Sequence, residues 1–229
     1  MDNKKIKVSL LELENNSQIG MYLLATNDFV LCGKKNLTLE QKQSIEQILN
    51  VPLIEFSCFN TELTGIFIQV DREDKKIFIP NNLYREEFDK ITQIALKYNY
   101  EIIEIHSTNN TIGNLISTTK NYLIISKELK HYENELKKNS NKKIFFLKDN
   151  NLHQAGALFY TVKNLTLASS GLNDEELEEL EAEIQNITTI NSGSVYISSG
   201  IVANSHGILI GNQSSSVEIQ TVLESLEYL

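Results

Sequence analysis

The sequence predicts an α/β protein in which five similar units close into a propeller-like ring, and three observations lead to this prediction. Glycines followed by apolar residues recur at Gly20, Gly65, Gly113, Gly156 and Gly200, with steps of 45, 48, 43 and 44 residues. Each glycine precedes the same order of patterns: strand, turn, strand, amphipathic helix, third strand. The fifth unit ends after its helix, and an alternating N-terminal segment supplies the strand that it lacks.

The first unit contains every predicted element. Apolar segments 21–25 and 29–31 flank an Asn27-Asp28 turn, which is typical of a β-hairpin. Thr38, followed three residues later by Gln41, has the pattern of a helix capping box. Residues 52–56 predict the third strand, which leads to the next unit.

The other units repeat this order with different residues. Their predicted hairpins cover 66–70 with 77–79, 114–117 with 122–125, 156–160 with 165–167, and 201–203 with 208–210. The predicted third strands are 101–105, 143–147 and 187–190. In the fourth unit Asn173 and Glu176 predict a helix start, and Leu177, Leu180 and Ile184 predict its buried stripe.

Residues 4–10 are predicted to close the ring as the third strand of the fifth unit. Ile6, Val8 and Leu10 alternate with Lys7 and Ser9, as expected for a half-buried strand. We therefore expect one domain over residues 1–229 with no open sheet edge. The expected units span about 11–56, 57–105, 106–147, 148–190 and 191–229.

Composition narrows the possible partners and compartment. With a net charge of −9, the chain gains little from counterion release on nucleic acid. The segment 174–183 carries seven carboxylates, which fit a solvated helix face better than a surface for a basic partner. No apolar run approaches the roughly 18 residues of a membrane span. Cys32 and Cys58 do not form a disulfide framework; we expect them to pack as small apolar groups in a cytoplasmic protein.

Several motifs resemble the translation initiation factor 6 family of ribosome anti-association factors, in an archaeal or eukaryotic-like form. Residues 14–20 (Glu-Asn-Asn-Ser-Gln-Ile-Gly) are similar to its opening signature, and residues 79–82 (Ile-Pro-Asn-Asn) to a strand end in its second repeat. Residues 112–114 and 191–194, with Gly200 and Asn204, resemble its third and fifth repeats. The resemblance implies a pentein fold, five ββαβ units around a pseudo-fivefold axis.

The resemblance also implies a function. A member of this family binds the large ribosomal subunit near the sarcin–ricin loop, through a ribosomal protein and with limited rRNA contact. It thereby prevents premature association with the small subunit, and it has a role in large-subunit biogenesis. We accordingly expect a monomer that uses no cofactor.

Six residues are predicted to bind the ribosome. Family positions tied to docking correspond to Ile66, Asn114 and Tyr196, the first and last replacing the family's usual Arg and Val. Repetition places five residues directly after the five glycines: Met21, Ile66, Asn114, Ala157 and Ile201. We expect these residues to gather at one end of the ring, although they could instead line its centre.

Two other classes of function are open. Other penteins modify guanidino groups with a thiolate in the last repeat, a nearby histidine and acidic residues. Here the last cysteine is Cys58, and the four histidines are single, without metal-ligand spacing: His106, His131, His153 and His206. A guanidino-modifying enzyme is therefore the alternative, and no catalytic or metal-binding residue is predicted. A structural scaffold, the third class, would form oligomers and ignore ribosomes.

Overall fold

Five separate three-stranded sheets form the β-structure of the chain. The computed structural model describes residues 6–148 and 152–226. The strands are β1 Lys7–Leu11, β2 Leu23–Ala25, β3 Val30–Cys32, β4 Leu53–Glu55, β5 Gln69–Asp71, β6 Lys76–Pro80, β7 Glu101–Ile105, β8 Ile116–Thr118, β9 Tyr122–Ile125, β10 Lys143–Phe146, β11 Phe159–Val162, β12 Leu165–Ser169, β13 Ile184–Thr188, β14 Ile201–Ala203 and β15 Gly207–Gly211. The sheet orders are β2-β3-β4, β5-β6-β7, β8-β9-β10, β11-β12-β13 and β14-β15-β1.

Each sheet combines an antiparallel hairpin with a parallel third strand. The predicted strands 101–105, 122–125 and 201–203 coincide with β7, β9 and β14. The α-helices are α1 Leu39–Leu49, α2 Thr64–Phe67, α3 Arg85–Tyr98, α4 Ile112–Leu115, α5 Glu133–Asn139, α6 Ala155–Leu158, α7 Asp174–Glu179 and α8 Ser216–Leu226. Three 3-10 helices cover Ile19–Met21, Lys127–Tyr132 and Ile197–Ser199.

The residues after Gly20, Gly65, Gly113 and Gly156 belong to short helical turns, which corrects the prediction that strands begin there; after Gly200 the strand β14 begins as predicted. The turns 19–21, 64–67, 112–115, 155–158 and 197–199 contact one another in a closed ring. A Cβ on Gly65 would lie 1.9 Å from the Gly20 carbonyl oxygen, and one on Gly156 would lie 1.8 Å from that of Gly113. These glycines are therefore needed because backbone meets backbone at the centre of the ring.

Ser198, and not Gly200, occupies the equivalent position in the fifth unit. A Cβ on Gly20 would lie 2.0 Å from the Ser198 carbonyl oxygen, which continues the pattern of the other turns. Gly200 follows the fifth turn and faces the side chains of Ile190 and Asn191. The glycine spacing therefore placed the central position of the fifth unit two residues too late. Gly200 is a glycine for another reason, because a Cβ there would collide with the side chains of Ile190 and Asn191.

The ring closes through the N-terminal strand, but of the three side chains predicted to be buried only Ile6 packs against the core. β1 pairs in parallel with β15, whereas Val8 and Leu10 are 40% and 49% exposed. Leu11 is buried, because its side of β1 packs on α1. Lys7 lies on the same side of the strand, and its amino group donates a hydrogen bond to the Gln47 carbonyl of α1 at 2.7 Å. Predicted strand residues 4 and 5 lie outside the described residues.

Closure of the ring does not remove sheet edges. Among the described residues no strand pairs with a strand of another sheet, so each third strand is an edge of its sheet, contrary to the prediction. The apolar clusters lie between consecutive sheets and include a helix; α1, for example, packs between the fifth and first sheets. Asn204 reinforces that junction, because its buried amide donates to the carbonyls of Thr26 and Leu49 at 2.8 Å each.

The fourth unit differs most from its predicted form. The capping box of Asn173 and Glu176 is present, but α7 has only 6 residues. Ile184, predicted on this helix, is the first residue of β13, and β13 replaces the predicted strand 187–190. The alternating burial along β13 shows why: Ile184 and Asn186 are half-buried, whereas Gln185 and Ile187 are exposed.

We expect Gly65→Ala to destabilise the protein by about 3 kcal/mol or more, because the added methyl group meets backbone that no side-chain rotation can relieve. Ser198→Ala is the matched control, since this position already carries a Cβ, and it should cost less than about 1 kcal/mol. Urea unfolding measures both. Equal unfolding midpoints for the two variants would contradict the assignment of the central ring.

The orientation of β1 can be tested with two neighbouring leucines. Leu11→Ala should lower the free energy of unfolding by about 2–3 kcal/mol, because it leaves a cavity beside α1. Leu10→Ala removes a side chain that is 49% exposed and should change it by less than about 1 kcal/mol. The reverse order of the two effects in urea unfolding would restore the face predicted from the sequence.

Candidate functional site

The five helical turns and the main helix starts lie at the same end of the ring, which we call the turn face. In each unit the first strand runs from the turn to a hairpin, and the second strand returns. The following helix therefore begins beside the turns. The hairpin turns, around residues 26–29, 72–75, 119–121, 163–164 and 204–206, lie at the opposite end, the hairpin face.

Four of the six predicted binding residues occupy equivalent places in the helical turns. Met21, Ile66, Asn114 and Ala157 each follow the central glycine of their turn. The first three are partly exposed, whereas Ala157 is only 7% exposed and offers little surface. Repetition therefore does bring these positions together.

Ile201 and Tyr196 lie elsewhere. Ile201 is in β14, is fully buried and lines the centre of the ring, so its predicted place on the surface is wrong. Ser199 takes the equivalent position in the fifth turn, as expected from the place of Ser198. Tyr196 immediately precedes that turn and is half-buried, with part of its side chain packed against the core of the fourth unit.

Asn114 offers unused hydrogen-bonding capacity within a turn, as Gln18 and Gln154 do immediately before the first and fourth turns. Its backbone N–H donates to Thr111, but its side-chain amide forms no hydrogen bond with another described residue. A primary amide provides two donor hydrogens and an acceptor oxygen. Asn114 is half-buried, so its position is fixed by packing while these groups stay accessible.

An aromatic cluster next to Ile66 was missed by the sequence analysis. The Phe59 ring lies 5.0 Å from that of Phe67 and 5.9 Å from that of Tyr84, and Tyr84 is 52% exposed. Phe59 has a positive φ of 53°, which is rare for a bulky residue. No sequence signal placed these three residues together, because they come from a turn, from α2 and from the start of α3.

Carboxylates hold the loops of the turn face in place. Glu87 accepts hydrogen bonds from the backbone N–H groups of Phe59 and Asn60 at 2.9 Å each. Glu218 accepts equivalent bonds from Ser192 and Gly193 and also caps α8 through Ser215. The capping residue of a helix thus also fixes the turn beside it.

The hydrogen bonds to Glu218 change its acidity. Burial acts to raise its pKa, but the Thr189 hydroxyl and three backbone N–H groups stabilise the charged form and lower the pKa to about 2. The Asn191-Ser192-Gly193 turn that surrounds it has positive φ at all three residues. This explains the polar, glycine-containing motif at residues 191–194.

Lys34 joins the first and second units at the turn face. Its buried ammonium group binds Glu14 at 2.5 Å and Glu62 at 2.8 Å, and lies 4.5 Å from the centre of the Tyr22 ring. Burial acts to lower the pKa of Lys34, but the two carboxylates outweigh this effect and raise it. The result is a fixed ionic junction rather than a free cation.

The centre of the ring is narrow. The central cavity measures about 40 Å³ and is lined at the turn face by Gly20, Gly65, Gly113, Gly156 and Ser198. Arg72 closes it toward the hairpin face, because its guanidinium donates to the carbonyls of Ala25 at 2.8 Å and Thr161 at 3.2 Å. The lining contains neither cysteine nor histidine.

The two cysteines lie in the core, and two of the histidines pair with glutamates. Both thiols are buried, and burial raises the pKa of Cys32 to about 11 and also raises that of Cys58. They pack in the core as expected from the sequence. His106 and His153 each pair with one glutamate, Glu135 and Glu128 respectively. Within residues 6–148 and 152–226 no three metal-binding side chains come together, and no helix has the length and apolar character of a membrane span.

Solved structures identify the class of fold. Dimethylarginine dimethylaminohydrolase, as an adduct with S-methyl-L-thiocitrulline, matches with a TM-score of 0.51 at 13% identity, over 74% of this chain and 69% of that one. Its adduct with 4-chloro-2-hydroxymethylpyridine gives the same TM-score and identity, over 80% and 71%. Together with the five sheets, these matches show that the chain has the pentein fold.

Sequence comparison gives the family. The model of the eIF-6 family matches residues 8–225, and the chain belongs to this family. It is similar to translation initiation factor 6 of Staphylothermus marinus, 27% identical over 96% of this chain and 98% of the relative. The same factor of Saccharolobus islandicus is 28% identical over 94% and 97%. The chain is thus a member of a translation initiation factor family.

The low pKa of Glu218 predicts a pH-dependent contribution to stability. Because its folded pKa of about 2 lies below the ordinary 4.5, this contribution is present above about pH 5 and is lost as pH falls toward 2. Glu218→Gln should therefore be less stable than the wild type at neutral pH, and the difference should shrink at low pH. Urea midpoints across this range measure it. Glu224→Gln, an exposed change on the same helix, should show a small difference at every pH.

Proposed function

We propose that this protein binds the large ribosomal subunit through its turn face and sterically prevents premature association with the small subunit. Its family membership supports the choice of the ribosome as the partner. The observation that carries the choice of face is the free amide of Asn114 on a surface that also presents Met21, Ile66 and Tyr196. A protein that covers the contact surface of one subunit excludes the other subunit sterically, and no catalysed reaction is needed.

The turn face has the composition of a protein-binding surface. Interfaces usually depend on a few aromatic or well-packed anchors, surrounded by polar contacts that exclude water. Tyr196 and the exposed Tyr84 provide aromatic surface, and Asn114 provides the central polar group. Because carboxylates fix the surrounding loops, little loop ordering opposes binding.

The charge of the chain favours a basic ribosomal protein as the direct contact, with limited rRNA involvement. A net charge of −9 opposes an interface dominated by phosphates. The helix starts at the turn face do not offset this, since Glu87 and Glu218 already occupy those of α3 and α8. Binding should consequently depend less on salt than that of proteins that mainly contact rRNA.

The same binding accounts for the remaining features of the proposal. A factor that occupies the contact surface of a newly made large subunit would act during its biogenesis in the cytoplasm as well as at initiation. One copy is enough to obstruct the surface, which fits a monomer. No cofactor is required, because the effect is steric.

We expect Asn114→Asp and Tyr196→Glu each to weaken large-subunit binding by about 1–3 kcal/mol without unfolding the protein. Asn114→Asp removes the two amide donor hydrogens, and Tyr196→Glu removes the aromatic ring that would anchor the contact. Cosedimentation with purified large subunits measures binding, and addition of small subunits measures the block on joining.

Asn164→Asp is the matched control for these variants. Asn164 is exposed in the hairpin between β11 and β12, at the opposite end of the ring, so this variant should bind as the wild type does. If folded wild type does not cosediment, the proposed partner is wrong. If Asn114→Asp and Tyr196→Glu both bind as tightly as wild type, the face is wrong.

A further inference from the structure

The main helix of the fourth unit is short. The corresponding helices α1, α3 and α8 have 11, 14 and 11 residues, and α5 has 7 after a 3-10 helix of 6, whereas α7 has 6. A tight turn over residues 180–183 then returns the chain to β13, the outer strand of its sheet. Because β13 is an outer strand, the space between α7 and β13 lies on the rim of the ring rather than on the turn face.

A groove lies between α7 and β13, and the first unit has a comparable groove of about 550 Å³ between α1 and β4 whose lining includes Lys42 and Lys90. The groove beside α7 has a volume of about 590 Å³, and we call it the α7–β13 groove, lined by Leu177, Glu178, Glu181, Ile184, Gln185, Asn186 and Ile187. Leu177 and Ile184 rest on the core of the fourth unit and are only partly buried. Ile187 is 46% exposed, so three apolar side chains are available to a partner.

The two carboxylates of the groove differ from their neighbours. Glu175 and Glu179 share Lys148, and the buried Glu183 accepts hydrogen bonds from Asn121. Glu178 and Glu181 have no ion-pair partner among the described residues, and both are exposed. Asp174 at the start of α7 also lacks an ion pair with a described residue, but it does not line the groove, so Glu178 and Glu181 are the unpaired carboxylates beside the apolar surface.

The edge of β13 is unsuited to pairing with an added strand. The register between β12 and β13 shifts at Thr166 and Leu167, and the side chain of Gln185 accepts a hydrogen bond from the Thr166 N–H in the gap. Such irregularities discourage edge-to-edge pairing. A partner is therefore expected to contact side chains in the groove.

We propose that the α7–β13 groove binds a short amphipathic basic segment of another protein, with apolar side chains on Leu177, Ile184 and Ile187 and lysine or arginine beside Glu178 and Glu181. Charge complementarity selects this partner. A second copy of the chain would bring the same carboxylates together and carries the same net charge of −9. This interaction is independent of docking through the turn face.

The test uses the full-length protein and a library of random peptides of about 12 residues. Peptides selected on the wild type should combine lysine or arginine with large apolar residues. Their affinity, measured by fluorescence anisotropy, should fall about tenfold or more in Ile187→Lys and in the double variant Glu178→Gln, Glu181→Gln. Val217→Lys is the matched control: Val217 is 74% exposed on α8, away from the groove, and its variant should bind as the wild type does.

Thermal unfolding of each variant shows whether it is folded. If Ile187→Lys is unstable, the double variant Glu178→Gln, Glu181→Gln still tests the proposal, because it removes charge without changing side-chain size. Selection of no peptides or of acidic peptides would overturn the proposal. So would basic peptides whose binding is unchanged in the double glutamine variant. Self-association of the wild type in sedimentation, abolished by Ile187→Lys, would identify a second copy as the occupant and would also overturn it.

Discussion

The ring depends on direct backbone contact between five helical turns. In the turns of the first, second, third and fifth units a carbonyl oxygen lies close to the position that a Cβ atom on the next turn would occupy. Glycines at 20, 65, 113 and 156 have no Cβ and therefore let the backbones of neighbouring turns make direct contact. The sheets then diverge from this centre, and helices fill the wedges between them. The narrow cavity, the buried position of Ile201 and the common end for the helix starts all follow from this packing.

A second constraint fixes the loops around that centre. In several units the glutamate that caps the main helix also receives hydrogen bonds from the turn beside it, as Glu87 and Glu218 do. One carboxylate thus satisfies helix-end donors and the donors of a turn with positive φ at the same time. Because the loops are held this way, the turn face is a preorganised surface, which suits a protein that acts by occupying a site.

The two surfaces that distinguish individual units lie where a unit departs from the repeat. The second unit places Phe59 at a turn position with positive φ and thereby forms an aromatic cluster. The fourth unit has a short α7, and the unpaired Glu178 and Glu181 make its α7–β13 groove acidic. The repeated features of the fold come from backbone contacts and helix capping, whereas the side chains at the proposed binding surfaces are left free to vary between units.

The sequence by itself determined the features that depend on local patterns. Nearby residues alone predict the capping boxes at Thr38 and Asn173 and the strands β7, β9 and β14. The regular spacing of similar segments along the chain predicts the number of units. The tertiary structure decided which face of β1 is buried, since Leu10 and Leu11 are equally apolar and only the packing of α1 distinguishes them. It also decided that Ser198 rather than Gly200 joins the central ring. A glycine in the sequence indicates that a side chain would not fit, but the sequence does not show which neighbouring atoms take up the space.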